Sequence, residues 1–395
     1  MSISVHTYWP KRIVVGAGAA LRLADEARRF KGEKIIFFTD RGLVDMPKTL
    51  EAVQALRGAG YAVDIYCDLE ANPTDKTVHK AVEHMKETRP ELMVCYGGGS
   101  AIDTGKAANV VYTHGGTVHE YEDLAGGVDK IKDKLLPCIA VATTAGTGSE
   151  VSSCSVITDT NRVLKICLMS PYMVPDVSVL DPEVTVSLPA KLTAYTGMDA
   201  LTHCIEAYVS SVDFEPGRGF AIQGVKCISR SLRKAVLEGD DLAARQDMLV
   251  GSACGALAFN NNMLGTVHGC AHQLSSVANL PHGLANAMML APVMRWNIPS
   301  NMEAFADVAQ AMGADIHPLS LREAAQKAIE LVEILSEDVG IPKHLSECGV
   351  TMDMLDELVD KAYLDHNNLT NPRRPQPNPT PIPKDVLRRL YLEVF

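Results

Sequence analysis

The sequence predicts an α/β chain in two parts: a doubly wound, mostly parallel sheet domain over residues 1–187 and an all-helical domain over residues 188–395. Three observations predict it. The first half alternates short apolar or β-branched runs with helical patterns, the order that gives a parallel sheet covered on both faces. Beyond about residue 187 the strand signal stops and long helical patterns take over. The 395 residues also exceed one core, since single cores stop growing near ~250–300 residues.

In chain order, IVV at 13–15 predicts a first strand, with a helix near 18–30. KIIFFTD at 34–40 predicts a second, with a helix near 47–58, and AVDIY at 62–66 a third, with a helix near 74–88. LMVCY at 92–96 follows, with a helix near 101–111, and then CIAVATT at 138–144. Ser187-Leu-Pro189 reads as a helix start, Ser as cap and Pro in the first turn, and marks the boundary. Helices are expected near 189–195, 198–211, 217–238, 240–259, 264–279, 283–297, 301–310, 319–338, 342–348, 352–364 and 384–394. Between the last two, NPRRPQPNPTPIP at 371–383 has a proline about every second residue and predicts an extended surface strap.

Composition narrows the function classes. A net charge of -11 with no dense Lys/Arg block argues against nucleic acid and anionic membranes, both of which require a concentrated basic field. The amino-terminal stretch lacks the pattern of a secretory signal, and no apolar run reaches the ~18 residues that span a bilayer. A cytoplasmic protein acting on small molecules is the expectation. The ten cysteines never form a CxxC pair and sit mostly in apolar segments, so they read as small buried residues of a reducing compartment.

Ligands of doubly wound sheets bind outside the carboxyl ends of the strands, where three loops compete. Gly16-Ala-Gly18-Ala-Ala-Leu21 imitates a dinucleotide fingerprint but has Leu21 at the third glycine position, and a tight turn explains it as well. YGGGSAID at 96–103 puts Gly97, Gly98 and Gly99 between a strand and a helix, where backbone N–H groups and the helix dipole favour a pyrophosphate. ATTAGTGSEV at 142–151 offers hydroxyls and two glycines in a similar setting, or is a polar structural turn. Asp40, at the end of the second strand, either caps a helix or binds a ribose; in the second role it repels a 2′-phosphate and favours NAD over NADP.

The helical half carries a different chemistry. GMDALTHCIE at 197–206 sets Asp199 and His203 four residues apart, on one helical face, and LGTVHGCAHQLSSVANLPHG at 264–283 repeats that spacing in His268 and His272, with His282 beyond. One carboxylate with several imidazoles suits iron, zinc, manganese, cobalt or nickel, and the lack of sulfur argues against a closed structural zinc site. Spacing alone favours His268 and His272 as ligands, with His282 as a helper, and leaves open which histidine stays free.

These motifs, with GMDALTHCIEAY, PHGLANA and NPR at 371–373, resemble those of the iron-containing (group III) alcohol dehydrogenase family over nearly the whole chain. The resemblance implies an NAD- and metal-dependent oxidoreductase that interconverts a small primary alcohol or diol and its aldehyde. NADP is the lesser alternative, and iron is placed first among the metals. It implies Asp199, His203, His268 and His282 as ligands and makes His272 the unliganded histidine beside nicotinamide and substrate, against the choice from spacing. His272 then relays a proton, a task suited to an imidazole, while a substrate oxygen at the open metal position loses its own more easily.

The same resemblance implies Gly98, Gly99, Ser100 and Asp103 at the pyrophosphate and Thr143 and Thr144 beside the nucleotide. Asp40 falls near the adenosine ribose, and Lys165 reaches the cofactor. Ser152, Cys154, Phe259 and Leu264 line the substrate pocket, with no Arg or Lys among them. A homodimer or larger homo-oligomer is expected. Glycerol dehydrogenase is a near alternative. A dehydroquinate synthase-like lyase is a remoter one, because it needs a basic cluster that the sequence does not display.

Overall fold

A computed structural model describes residues 9–132, 134–162, 164–365 and 377–395. The NPR motif at 371–373 and the first half of the proline-rich stretch lie outside the described residues. The chain forms two compact units, one of Met1–Thr144 and Gly148–Ser187, the other of Ala145–Thr147 and Leu188–Phe395.

The first unit is built on a six-stranded parallel sheet of β1 (Arg12–Val15), β2 (Lys34–Phe38), β3 (Ala62–Tyr66), β4 (Leu92–Gly97), β5 (Cys138–Ala142) and β8 (Val177–Leu180), in the order β1-β8-β5-β4-β2-β3. Apart from the exposed Lys34 that opens β2, its central strands are apolar because both faces are covered. Alternation along each strand then sorts them into two cores. Ile36, Phe38, Met93, Cys95 and Ala140 enter one, and Ile35, Phe37, Leu92, Val94, Ile139 and Val141 the other. The covering helices are α1 (Leu23–Ala27), α2 (Pro47–Gly58), α3 (Asp75–Thr88) and α4 (Gly99–His114).

The first unit differs from the sequence expectation in two places. The helix near 18–30 shrinks to one 3-10 turn, Ala19–Arg22, and the five residues of α1. Three strands were not expected from the pattern: β8, and an antiparallel hairpin of β6 (Cys154–Asp159) and β7 (Leu164–Met169). Each is six residues or fewer and is defined by its partners rather than by its own alternation.

In the second unit follow α5 (Ala190–Val209), α6 (Glu215–Leu237), α7 (Leu242–Asn262), α8 (Thr266–Val277), α9 (His282–Asn297), α10 (Met302–Ala311), α11 (Leu321–Asp338), α12 (Leu355–Leu364) and α13 (Lys384–Glu393). The expected break before residue 198 is absent, and α5 runs straight through Gly197. That glycine is a packing residue: a Cβ there would lie 2.9 Å from Met248 Cε and closer still to a Leu232 methyl, so its absence lets α6 and α7 approach α5. Ser187 does not cap this helix, which begins after Pro189 without a side-chain cap.

All ten cysteines are free; seven are buried and three half-buried. Cys204 points its thiol at the Gly251 carbonyl 3.7 Å away, and burial drives its pKa well up, so it is an inert packing group. No helix among the described residues is long and apolar enough to cross a membrane.

Candidate metal centre and nucleotide loops

In the second unit, Asp199 and His203 come from one face of α5, His268 from α8, and His282 is the first residue of α9. Asp199 Oδ1 lies 4.0 Å from His203 Nε2, 3.9 Å from His268 Nε2 and 3.7 Å from His282 Nε2. Ligand atoms of Asp199, His268 and His282 all fall within 4.8 Å of one another. With metal–donor bonds of ~2.1 Å, a tetrahedral site has donor–donor edges of about 3.4 Å, so the Asp199–imidazole edges are within a few tenths of an ångström of that length, while His203 lies outside the mutually close group of three. No Lys or Arg is paired with Asp199 among the described residues, so the carboxylate is left for a cation. The donor set fits a divalent metal.

The backs of these rings are also held. His268 Nδ1 is 2.5 Å from Glu206 Oε2, and His203 Nδ1 donates to the Gly146 carbonyl at 3.2 Å. Occupied on Nδ1, both rings present Nε2 to the cage, the arrangement by which outer partners set the tautomer of metal-binding histidines. Burial lowers the pKa of His203, favouring the neutral form that ligates. Burial pushes Glu206 up to about 8, against backbone N–H groups of Val267, Gly265 and His268 that pull it down.

His272 stands apart. Its ring stacks on that of His282 at 5.4 Å and 23°, and its Nδ1 lies 3.2 Å from Asp365 Oδ2, which also accepts from Gln273 Nε2 at 2.9 Å. Phe259 packs its ring 4.9 Å from that of His203, and Leu264 is half-buried in the turn before α8.

Gly283 explains how α9 brings His282 so near α5. A Cβ on it would meet the Tyr195 carbonyl carbon at 2.7 Å, its oxygen closer still, and Asp199 Cβ at 3.3 Å.

In the first unit, the three strand-end loops differ. At Gly16 and Gly18, both with positive φ, the Asp181 carboxylate accepts from Gly18 N at 3.2 Å and Ala20 N at 2.8 Å. An internal anion thus fills this turn, which is structural. By contrast α4 begins after Gly98 with no side-chain cap and no acid in its first turn. Gly98 and Thr144 are close neighbours: a Cβ on the glycine would lie 3.3 Å from the threonine Oγ1, and Thr143 N donates to Gly97 O at 3.0 Å. The loops after β4 and β5 are therefore adjacent, and Gly99 is the first residue of α4. Ser100 Oγ donates to the Ala71 carbonyl.

Asp103 is turned inward, accepting from Ser149 Oγ and from Val156 N at 3.0 Å, and burial raises its pKa. Lys106, also buried, donates to the carbonyls of Ser149, Ser152 (2.8 Å) and Cys154 (3.1 Å) and to Ser152 Oγ at 3.1 Å. Ser152, expected at the substrate, is thus tied to this lysine, while Cys154 is half-buried at the start of β6. Lys165, on β7, has its pKa lowered by burial and lies in the field of Asp103. Asp40 Oδ1 caps the turn after β2 through Gly42 N (2.9 Å) and Leu43 N (3.1 Å). Its Oδ2 faces Gly97, 3.9 Å from where a Cβ there would sit.

A second cluster with metal-ligand chemistry, Asp75, His119 and Asp159, is already paired internally. The His119 ring bridges the two acids through opposite nitrogens, at 3.2 and 3.4 Å, and Arg162 Nε takes Asp159 at 2.5 Å. This is an ion-pair network, in which Arg162 and backbone N–H groups hold Asp159 down at about 2 despite its burial.

Residues 10–182 match the family model for iron-containing alcohol dehydrogenase, and residues 193–379 the C-terminal model of the same family. The chain belongs to the iron-containing alcohol dehydrogenase family. It is 38% identical to 1,3-propanediol dehydrogenase of Klebsiella pneumoniae over 361 residues, 91% of this chain and 92% of that one. It is 36% identical to NAD-dependent methanol dehydrogenase of Bacillus methanolicus, over 92% of this chain and 94% of the relative. A crystal structure of 1,3-propanediol oxidoreductase superposes with a TM-score of 0.94 and 36% identity, covering 100% of both chains. Membership of the family carries the enzyme class: an NAD- and metal-dependent alcohol dehydrogenase.

Three residues at the metal centre escaped the sequence reading. Glu206 had a usable signal, since 199, 203 and 206 follow the i, i+4, i+7 spacing of one helical face. Asn286 lies four residues beyond His282. Asp365 had no signal, being 93 residues from His272.

Proposed function

We propose that this dehydrogenase interconverts a small, neutral primary alcohol or diol with its aldehyde, holding the metal through Asp199, His203, His268 and His282. The observation that carries the reading is the convergence of one carboxylate oxygen and three imidazole Nε2 atoms, spaced 3.7–4.0 Å from the oxygen. A divalent metal bound there supplies a Lewis acid for an alcohol or aldehyde oxygen. Iron is the first choice of ion, in keeping with the family.

The chain's own residues supply the rest. His272 relays the proton: Asp365 engages its Nδ1 and orients the ring, and Nε2 exchanges the proton with substrate or solvent. Gly98, Gly99 and the uncapped start of α4 hold the pyrophosphate, with Ser100, Thr143 and Thr144 beside it. Asp103 and Lys106 act one step back, bracing the 149–156 segment, and Lys165 reaches toward the cofactor. Asp40 accepts from the adenosine ribose and selects NAD.

The absence of Arg and Lys among Ser152, Cys154, Phe259 and Leu264 supports a neutral substrate, and propanediol and methanol, the substrates in the relatives' names, belong to that class. We propose a cytoplasmic homodimer or larger assembly, which sedimentation or size-exclusion measurements check. The deciding experiment is an alcohol and aldehyde panel with metal-reconstituted protein, following NADH. Turnover confined to small neutral alcohols supports the reading. No NADH with any alcohol, or preference for an anionic substrate, refutes it. Full turnover and an unchanged pH profile in His272→Ala remove the relay.

A further inference from the structure

Asn286 is fully buried on the face of α9 that carries His282. Its Nδ2 lies 2.6 Å from Asp199 Oδ1 and 3.1 Å from both His268 Nε2 and His282 Nε2. The carboxamide nitrogen only donates, and it faces a carboxylate and two imidazoles. His268, whose Nδ1 is engaged by Glu206, turns Nε2 toward the amide. Turning the amide over would set its oxygen 2.6 Å from a carboxylate oxygen, so the nitrogen-inward orientation is fixed by electrostatics. Asn286 Oδ1 has no hydrogen-bond partner among the described residues, so nothing on its outer side determines this orientation.

We propose that Asn286 is a positioning residue of the metal centre, whose amide ties Asp199 of α5 to His268 of α8 and His282 of α9 and so sets the donor spacing. The proposal rests on the metal-centre reading above. Electron-rich groups within 4.8 Å of one another repel in a buried site, and the two N–H groups of one amide between them offset that repulsion. The 2.6 Å bond to Asp199 is charge-assisted and the strongest of the three. A carboxylate oxygen accepts more than one partner, so Asp199 can keep this bond and still serve a cation, whereas each imidazole Nε2 has a single lone pair and would pass from the amide to an arriving ion. The bond to Asp199 is therefore the one that persists when an ion is held, and losing such a partner of a ligating carboxylate commonly weakens metal binding by about 10- to 100-fold.

Asn286→Leu keeps the heavy-atom count and branching and removes both N–H donors. Metal-stripped wild type and variant are titrated with Co²⁺, following the visible d–d spectrum, and the affinity is measured by competition with a chelator. The expected result is a Co²⁺ affinity about 10- to 100-fold weaker in the variant, with an altered spectrum as Asp199 loses its orientation. Wild-type affinity and spectrum in Asn286→Leu overturn the proposal. Asn286→Ala, run alongside, carries the same test if the leucine variant does not fold. Failure of the wild type to take up the ion refutes the metal-centre reading itself, a separable outcome.

Discussion

Gly283→Ala is the sharpest test of how the helical unit builds its metal centre. The new Cβ would lie 2.7 Å from the Tyr195 carbonyl carbon, where carbon atoms pack comfortably at ~3.5 Å, and its contact with the oxygen is tighter. The obstacle is backbone on α5, so no side chain can rotate away. The start of α9 must retreat by about 1 Å, carrying His282 from Asp199, while metal–donor distances tolerate only ~0.2 Å. A displacement of that size costs on the order of 100-fold in turnover, and overpacking adds about 1–3 kcal/mol of destabilisation. The assay is metal content after dialysis against a chelator, with alcohol-dependent NADH formation and a thermal melt. Gly219→Ala on α6, whose Cβ would meet nothing within 4 Å, is the control and should be neutral or slightly stabilising. If Gly283→Ala keeps its metal and wild-type kcat/KM, the close approach does not set the cage.

Three further outcomes follow from the same geometry. Exhaustive chelation should abolish turnover while NAD binding, measured by calorimetry, survives, and added divalent metal should restore activity; full activity in metal-free protein contradicts the centre. Asp40→Gly should relax the discrimination against NADP at least tenfold in kcat/KM, and an unchanged ratio removes Asp40 from the ribose. Glu150 is buried, and burial pushes its carboxyl from 4.5 up to about 7. The folded state therefore holds this proton more tightly than the unfolded chain, and stability falls as pH rises from 4.5 to about 7, by roughly 3 kcal/mol at ~1.4 kcal/mol per unit. Urea unfolding of Glu150→Gln should match wild type near pH 4.5 and exceed it above pH 7; parallel curves refute the assignment.

Much of the fold was legible because its signals were local. The β2, β3, β4 and β5 runs are apolar stretches closed by turn residues, and the change to helical spacing after residue 187 is a matter of periodicity. What escaped depended on partners far along the chain. The four residues of β8 acquire strand character by inserting between β1 and β5, and the glycine turn at 16–18 was resolved only by Asp181, some 160 residues later. The metal centre shows the same division. Asp199 and His203 announce themselves by i, i+4 spacing, whereas spacing chose His272 over His282, because nothing local says that α9 begins at His282 against α5. Gly283 was visible in the sequence, but its reason, the Tyr195 carbonyl, was not.

The sheet order also bears on how the chain is made. β1 lies at an edge, and its strand partner is β8, so Arg12 waits for Val177, 165 residues later. At ~5–20 residues per second of synthesis, that separation amounts to about 8–33 s on the ribosome. Through that interval the β1 segment has no sheet partner, while β2, β3, β4 and β5 can already assemble in the order of their emergence. The interior of the sheet is therefore the early product of translation and its amino-terminal edge the last strand to dock, an interval in which a chaperone has most reason to hold the first residues of the nascent chain.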